Sequence, residues 1–321
     1  MITVGILTAV FAVLAVSCIC YRIAFYAPRK AKPQTNEVEL PDGEIYEEYR
    51  EDFERWAREV RAMPREDMYI IAFDGLRLYG RYYEYAPGAP IELMFHGYRG
   101  SAERDLSGGV QRCFLLGHSA LIVDQRCSGE SEGHTITFGI NEHRDCLRWI
   151  DYMLHRFGPD VQIILTGISM GASTVLMAAG TSLPDNIIGV IADCGYSSAK
   201  DIIQVVMGKM GLPPKLGYPF VKLAARIFGH FDLDETSPLE AVKNCTVPVF
   251  FVHGEDDDFV PCSMGRELYA ACGSRKYLHT VPGAGHGLAY PADPEAYLVA
   301  AKAFFTVEEG ALKRTEGSAV L

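Results

Sequence analysis

Gly167-Ile168-Ser169-Met170-Gly171 follows the apolar run Val161 to Leu165 and precedes the helix-prone stretch Ala172 to Ala179. A serine on a sharp strand-to-helix turn has its Oγ pushed clear of the sheet, and a glycine two residues to either side leaves room for the tight backbone. The chemistry this suits is attack by Ser169 on an electrophilic carbon, with the Met170 amide aimed at the oxygen that becomes negative. The five-residue pattern alone arises by chance in roughly one chain in ten of this length. Its weight comes from what else the turn demands, an acid after a later strand and a histidine after the last one, in the order Ser, Asp, His.

Both are present. Val247 to Val252 runs into His253-Gly254-Glu255-Asp256-Asp257-Asp258-Phe259-Val260-Pro261, where Asp257 is the choice for the acid, Asp256 its nearest rival, and a solvated acidic turn the plain alternative. Lys276 to Thr280 leads into Val281-Pro282-Gly283-Ala284-Gly285-His286-Gly287, whose glycines let the imidazole swing over Ser169. His286 is then the general base, taking the Ser169 proton on Nε2 while Asp257 holds the other ring nitrogen. Ile91 to Phe95 ends in His96-Gly97-Tyr98-Arg99-Gly100-Ser101, the place from which a second amide, that of Tyr98, joins Met170 N–H in an oxyanion hole. His96 and His253 each open a His-Gly pair at a strand end, which suits tying down a loop. His118, His134, His143, His155 and His230 read as ordinary surface or core residues.

These residues need a scaffold that collects strand ends. Met68 to Phe73 and Leu76 to Tyr85, joined at Asp74-Gly75, read as a hairpin. Ile91 to Phe95, Ala120 to Val123, Val161 to Leu165, Ile187 to Ala192, Val247 to Val252 and Lys276 to Thr280 follow, mostly as continuous apolar runs of the kind covered on both faces. Helices are expected at Ala102 to Leu116, Asn141 to Arg156, Met170 to Ala179, Ser263 to Ala271 and Pro294 to Phe305. The alternation predicts an α/β fold with a doubly wound, mostly parallel sheet, which gathers ligands at the carboxyl ends of its strands. Ser197 to Thr236 interrupts it and reads as a small helical cap, either an apolar lid over Ser169 or a segment whose apolar residues merely hold it down.

The chain has 321 residues, 49% of them hydrophobic, with 30 Lys plus Arg against 41 Asp plus Glu. The resulting net charge of −11 repels polyanions and argues against a nucleic-acid partner. Nine cysteines without paired spacing suit reduced thiols and give no metal-binding pattern. Residues 1–21 carry no charged side chain and are long enough to cross a bilayer as a helix. Arg22, Arg29, Lys30 and Lys32 follow, so the expected arrangement is a single-pass cell-membrane anchor with the rest of the chain in the cytoplasm. A cleaved signal peptide is the competing reading, with Ala15-Val16-Ser17-Cys18 faintly similar to a lipoprotein cleavage site. Residues 22–43 read as a linker, and 44–66 as an amphipathic helix whose Tyr46, Tyr49, Phe53, Trp56 and Val60 form one stripe that packs on the body. The catalytic domain is expected over 67–307, with its cap near 197–236, and a polar tail over 308–321.

Taken together, the serine turn, the His-Gly-Tyr-Arg-Gly-Ser stretch, the acidic turn and the closing Gly-Ala-Gly-His resemble the α/β-hydrolase superfamily over about Met68 to Phe305. More narrowly, residues 124–133 (Asp124 to Gly133) and Asp193-Cys194-Gly195-Tyr196-Ser197-Ser198 are similar to membrane-anchored bacterial members grouped with serine aminopeptidases and lysophospholipase-like enzymes. The resemblance implies a serine hydrolase needing no metal or other cofactor, with Ser169, Asp257 and His286 as triad. It also implies that the Asp124 to Gly133 turn braces the site, although Cys127-Ser128 replaces the usual small pair there. The function expected is cleavage of an ester, thioester or amide through an acyl-serine, with a small-molecule acyl or peptide substrate. Carboxylesterase-like or lipase-like action stands first. A serine aminopeptidase, which needs an acceptor such as Glu130, Glu132 or Asp232 for the substrate's amine, is the alternative. A non-catalytic binding protein in a hydrolase shell is the reading from another class.

Overall fold

The structure is a computed structural model and describes residues 2–28 and 38–318, with side chains over 3–28 and 38–306. Its centre is an eight-stranded sheet in the order β1-β2-β4-β3-β5-β6-β7-β8. The strands are β1 Glu66–Ile71, β2 Arg77–Tyr83, β3 Ile91–Phe95, β4 Ser119–Asp124, β5 Ile163–Ile168, β6 Ile187–Asp193, β7 Val249–Gly254 and β8 Lys276–Val281. Only β2 runs against its neighbours, pairing antiparallel with β1 and β4, while β3 to β8 pair in parallel. Every residue of β3, β4 and β7 is buried, whereas the edge strand β1 alternates. That difference explains why the inner strands read as continuous apolar runs.

The helices are α1 Ile2–Ala24, α2 Arg50–Ala62, α3 Ala102–Leu115, α4 Glu142–Phe157, α5 Met170–Ala179, α6 Ala199–Lys209, α7 Pro214–Ile227, α8 Pro238–Lys243, α9 Cys262–Ala271, α10 Ala289–Ala292 and α11 Pro294–Ser318. One face of the sheet packs Trp149 and Met153 of α4, Val175 and Leu176 of α5, Val242 of α8 and Leu268 of α9. The other carries Leu106 and Val110 of α3, Val60 of α2, and Tyr297 and Ala301 of α11. Both faces are therefore covered, as the apolar strands require. Glu92, buried in the middle of β3, is tolerated because Arg112, His118 Nδ1 at 2.9 Å and Thr166 Oγ1 at 2.8 Å surround its carboxylate. Burial opposes its ionisation, yet these partners lower its pKa to about 2.

Several segments differ from the sequence expectation. The stripe over 44–66 starts as a 3-10 turn, Glu44–Tyr49, before α2, and the helix ends at Ala62. Met63, extended at φ −70° and ψ 144°, precedes Pro64, whose ring disfavours the helical conformation one residue upstream. Trp56 nonetheless seats itself against α3 where Gly108 has no side chain, since a Cβ there would lie 2.7 Å from the indole. α1 continues past residue 21 to Ala24, so the first residues of the expected linker are helical. Tyr26 then bridges Thr135, while residues 29–37, with Arg29, Lys30 and Lys32, lie outside the described residues. The polar stretch after 307 is helical to Ser318, and residues 319–321 lie outside the described residues. α8, a single capped turn and a half between the cap and β7, gave no separate signal in the sequence.

Candidate active site

Ser169 occupies the turn between β5 and α5 with φ 56° and ψ −118°, a conformation a side-chain-bearing residue adopts only when its surroundings enforce it. The two flanking glycines show what enforces it. A Cβ on Gly167 would lie 2.2 Å from the Gly171 backbone, and one on Gly171 would lie 2.1 Å from the Phe95 carbonyl oxygen. The Ser169 amide donates to the Asp193 carbonyl at 2.8 Å, tying the turn to the end of β6.

Three segments far apart in the sequence meet here. His286 Nε2 lies 2.9 Å from Ser169 Oγ, and His286 Nδ1 lies 2.7 Å from Asp257 Oδ2. Asp257 is held from its other oxygen, where Oδ1 accepts from the amides of Phe259 at 2.9 Å and Val260 at 2.8 Å. Burial opposes the Asp257 charge, but hydrogen bonds from His253 and His286 and the nearby imidazole outweigh it and bring the pKa down to about 2. A carboxylate that is both ionised and dry orients the His286 ring through its Nδ1. Asp256, the rival, is exposed and makes no such contact, although its amide donates to the Ala284 carbonyl at 3.0 Å and so pins the histidine loop.

The loop after β3 closes the other side. Gly97 sits so near the nucleophile that a Cβ there would lie 3.5 Å from that of Ser169. Its amide donates to Asp105 Oδ2 at 3.0 Å, which fixes the turn. The Tyr98 amide follows in the same turn, and the Met170 amide is at the first turn of α5, where backbone donors lack an intrahelical acceptor. The Tyr98 side chain points away, its hydroxyl donating to the Ala24 carbonyl at 2.8 Å. His96 ties this loop down: Nδ1 donates to the Gly97 carbonyl at 2.8 Å and Nε2 accepts from the Gln125 amide at 3.0 Å. His253 does the same for the acid turn, with Nε2 donating to the Val260 carbonyl at 2.8 Å.

The Asp124 to Gly133 turn braces this loop from behind. Asp124 accepts from the amides of Ala102 at 2.9 Å and Glu130 at 3.0 Å, and Ser128 Oγ donates to the Gly100 carbonyl. Ser128, in the pair that departs from the family's usual one, is thus part of the brace.

The cavity at Ser169 has a volume of about 440 Å³, and its walls bear on two alternatives that the sequence left open. None of the cap residues 197–236 lines it. Instead α6 and α7 bury Ile202, Ile203, Met207, Tyr218 and Val221 against Phe138, Met170 and Phe25, so those residues hold the cap down. The cover over the serine comes from Pro41 to Tyr46 with Phe53, the segment expected to be linker and helix start, together with Phe259, whose ring centroid lies 5.0 Å from that of His286. Nor does any of Glu130, Glu132 or Asp232 reach the cavity; its carboxylates are Asp42, Glu44, Asp105 and Asp258.

Reasoning from the sequence missed Tyr46, Phe259, Asp105 and Asp193 as parts of the site. Asp193, at the end of β6, has its Oδ1 buried without a hydrogen-bond partner, and burial raises its pKa to about 6 despite nearby His253, Arg112 and His286. The signal available was its position, an acid ending an apolar run beside the elbow strand. Among the described residues, two side-chain groups have metal-like composition, Glu92 with Cys113 and His118, and Cys194 with Asp257 and His286. In the first the Arg112 guanidinium already neutralises the carboxylate. In the second, burial raises the Cys194 thiol well above its usual range, which keeps it protonated and a poor ligand.

A sheet with one reversed strand near its edge, and a serine, an acid and a histidine brought together after β5, β7 and β8, place the chain in the doubly wound α/β class. The chain belongs to the alpha/beta hydrolase family, whose features residues 93–301 match. It is 28% identical to YqkD of Bacillus subtilis over 183 residues, 57% of this chain and 60% of that one. It is also 26% identical to the lysophosphatidylserine lipase ABHD12 of Danio rerio over 205 residues, 59% of this chain and 49% of the relative. The chain thus spans about half to three fifths of these two relatives. Among solved structures it is similar to the Pyrococcus furiosus esterase Pf2001, with a TM-score of 0.62 and 20% identity, covering 85% of this chain and 98% of that one.

Proposed function

We propose that the chain is a serine hydrolase that cleaves a carboxylic ester through an acyl-Ser169 intermediate. The observation that carries this reading is the hydrogen-bonded line from Ser169 Oγ through His286 to Asp257. Ser169 Oγ attacks the carbonyl carbon as His286 Nε2 takes its proton, and the Tyr98 and Met170 amides receive the oxyanion. Collapse of the tetrahedral species expels the alcohol, which leaves with the proton from His286. Water, deprotonated by the same nitrogen, then releases the acid and restores Ser169.

Ester cleavage stands before peptide cleavage because an alkoxide leaves more readily than an amide nitrogen. Ile45, Phe53, Ile168 and Phe259 give the cavity an apolar wall for an acyl chain. The names of the relatives, a lipase and an esterase, point the same way. An aminopeptidase is the second reading, favoured by Asp42 and Glu44 at the cavity wall, where a substrate ammonium would find a carboxylate.

α1 is long and apolar enough to cross a membrane over Thr3–Ala24, with a mean hydropathy of 2.4. We read it as a single-pass anchor, with the catalytic domain on the cytoplasmic side by the excess of basic residues after it.

The test is labelling of the full-length protein by a fluorophosphonate, followed by a panel of short and long acyl esters beside aminoacyl amides. The wild-type protein is expected to label and Ser169→Ala to be silent, with esters turned over faster than amides. An unlabelled wild-type protein would favour a binding role instead, and faster amide turnover the peptidase.

A further inference from the structure

The placement of α1 against the body carries a consequence for how the enzyme meets a membrane. From Thr3 to Leu14 the helix is exposed on all sides, but Ser17 is buried and Cys20, Tyr21 and Ala24 are partly so, a stripe at spacings of three and four. That stripe docks on α7. The Tyr21 ring lies 5.9 Å from Phe228 at the end of α7, and Phe25, fully buried, lies 5.2 Å from Phe231. The last carbonyls of α1 are capped by the catalytic body: Arg99 Nη2 donates to Ile23 at 2.9 Å and to Tyr26 at 3.0 Å, and the Tyr98 hydroxyl to Ala24. α1 is therefore a helix fixed to the domain at its second half, not one swinging on a linker.

Its length then matters. At about 1.5 Å per residue the free part from Thr3 to Leu14 reaches roughly 18 Å, well short of the ~30 Å hydrocarbon layer. Completing the crossing requires the docked half as well, and whatever is docked on it comes along. The outward side of that half is suited to lipid, with Val16 42%, Ile19 58% and Ile23 58% exposed. So is the neighbouring cap: Leu216 is 72% exposed on α7, and Met210 and Leu212, in the turn before it, are 56% and 46% exposed. Lys222 and Arg226 on the same helix are paired with Asp234 and Asp232, while Lys215, next to Leu216, is exposed where it can meet lipid phosphates.

We propose that α7 and the turn before it sit beside α1 in the boundary between headgroups and acyl chains of a lipid bilayer. The proposal rests on the reading of α1 as a membrane anchor. It seats the body on the membrane by two elements, and it sets the mouth of the catalytic cavity close to the lipid. Tyr98 joins the two regions, its hydroxyl donating to the Ala24 carbonyl at the end of α1 while the residue itself borders the cavity of Ser169.

The test uses the full-length protein in phosphatidylcholine vesicles with and without bromine on the acyl chains, reading quenching of an introduced tryptophan against the native Trp56 and Trp149 background. Leu216→Trp and Met210→Trp each place the probe on the exposed cap. Val10→Trp reports on α1 itself, and Leu115→Trp, exposed at the far end of α3, serves as the control. The cap probes are expected to lose about half of their added emission in brominated vesicles, as a side chain about 5–10 Å deep should, and the control to be unchanged. Quenching of Val10→Trp with both cap probes unquenched would overturn the proposal and leave the anchor standing. If Val10→Trp is unquenched too, the anchor reading fails with it.

Discussion

Replacing Asp257 by asparagine removes one charge while keeping the shape of the acid turn. The carboxamide oxygen would still accept from the Phe259 and Val260 amides, which leaves the carboxamide nitrogen facing His286 Nδ1 where a carboxylate oxygen now sits at 2.7 Å. Two donors cannot face each other, so the His286 proton moves to Nε2. There it points at Ser169 Oγ, and the ring can no longer accept the proton that attack requires. The lost attraction to the imidazolium can be sized from Coulomb's law: charge centres about 4 Å apart at an effective dielectric near 20 interact by ~4 kcal/mol, close to three powers of ten in rate. The wrong tautomer adds to this, so the expected loss is about 10³- to 10⁴-fold. The assay is the second-order rate of fluorophosphonate labelling, with a thermal melt to show that the turn still folds. A folded Asp257→Asn protein that labels within tenfold of wild type would refute the reasoning, because His286 would then not depend on that carboxylate.

Gly171→Ala places a Cβ 2.1 Å from the Phe95 carbonyl oxygen, so the elbow must shift by about 1 Å and labelling should slow by ~10²-fold, while Gly75→Ala at an exposed hairpin turn leaves it unaltered. Asp193→Asn should change the pH dependence of stability. The folded pKa of about 6 lies above the ordinary value of 3.8, so the wild type gains from this group only at low pH and loses that gain as pH rises through 6. Urea denaturation should find the variant relatively more stable by up to ~3 kcal/mol at pH 8 and the difference gone below about pH 4, whereas a constant difference would contradict the buried-acid argument. Trp56→Ala empties a buried contact with Phe53 at 5.7 Å and Tyr290 at 5.6 Å, and should cost ~3–5 kcal/mol in urea denaturation. Because Phe53 also lines the cavity, KM for acyl esters should rise with it.

What the amino-acid order determined by itself is whatever depends on a few neighbouring residues. Glycines at 167 and 171 are demanded by backbone approaches at one turn, apolar runs report strands covered on both faces, and the order Ser169, Asp257, His286 follows from which strand each one ends. Tertiary structure alone decided which segment covers the cavity. Tyr46 and Phe53 in one stripe, and Val205 and Met207 in another, carry the same local signal of an apolar helical face. Their destinations differ because α6 packs against α7, which in turn has α1 to pack against, whereas the stripe before β1 meets α3 where Gly108 admits Trp56. The docking of α1 and the burial of Asp193 belong to the same class. Each depends on contacts between residues some seventy or more positions apart, such as Arg99 with Ile23 and Asp193 with His286, and periodicity over a dozen residues holds no record of those.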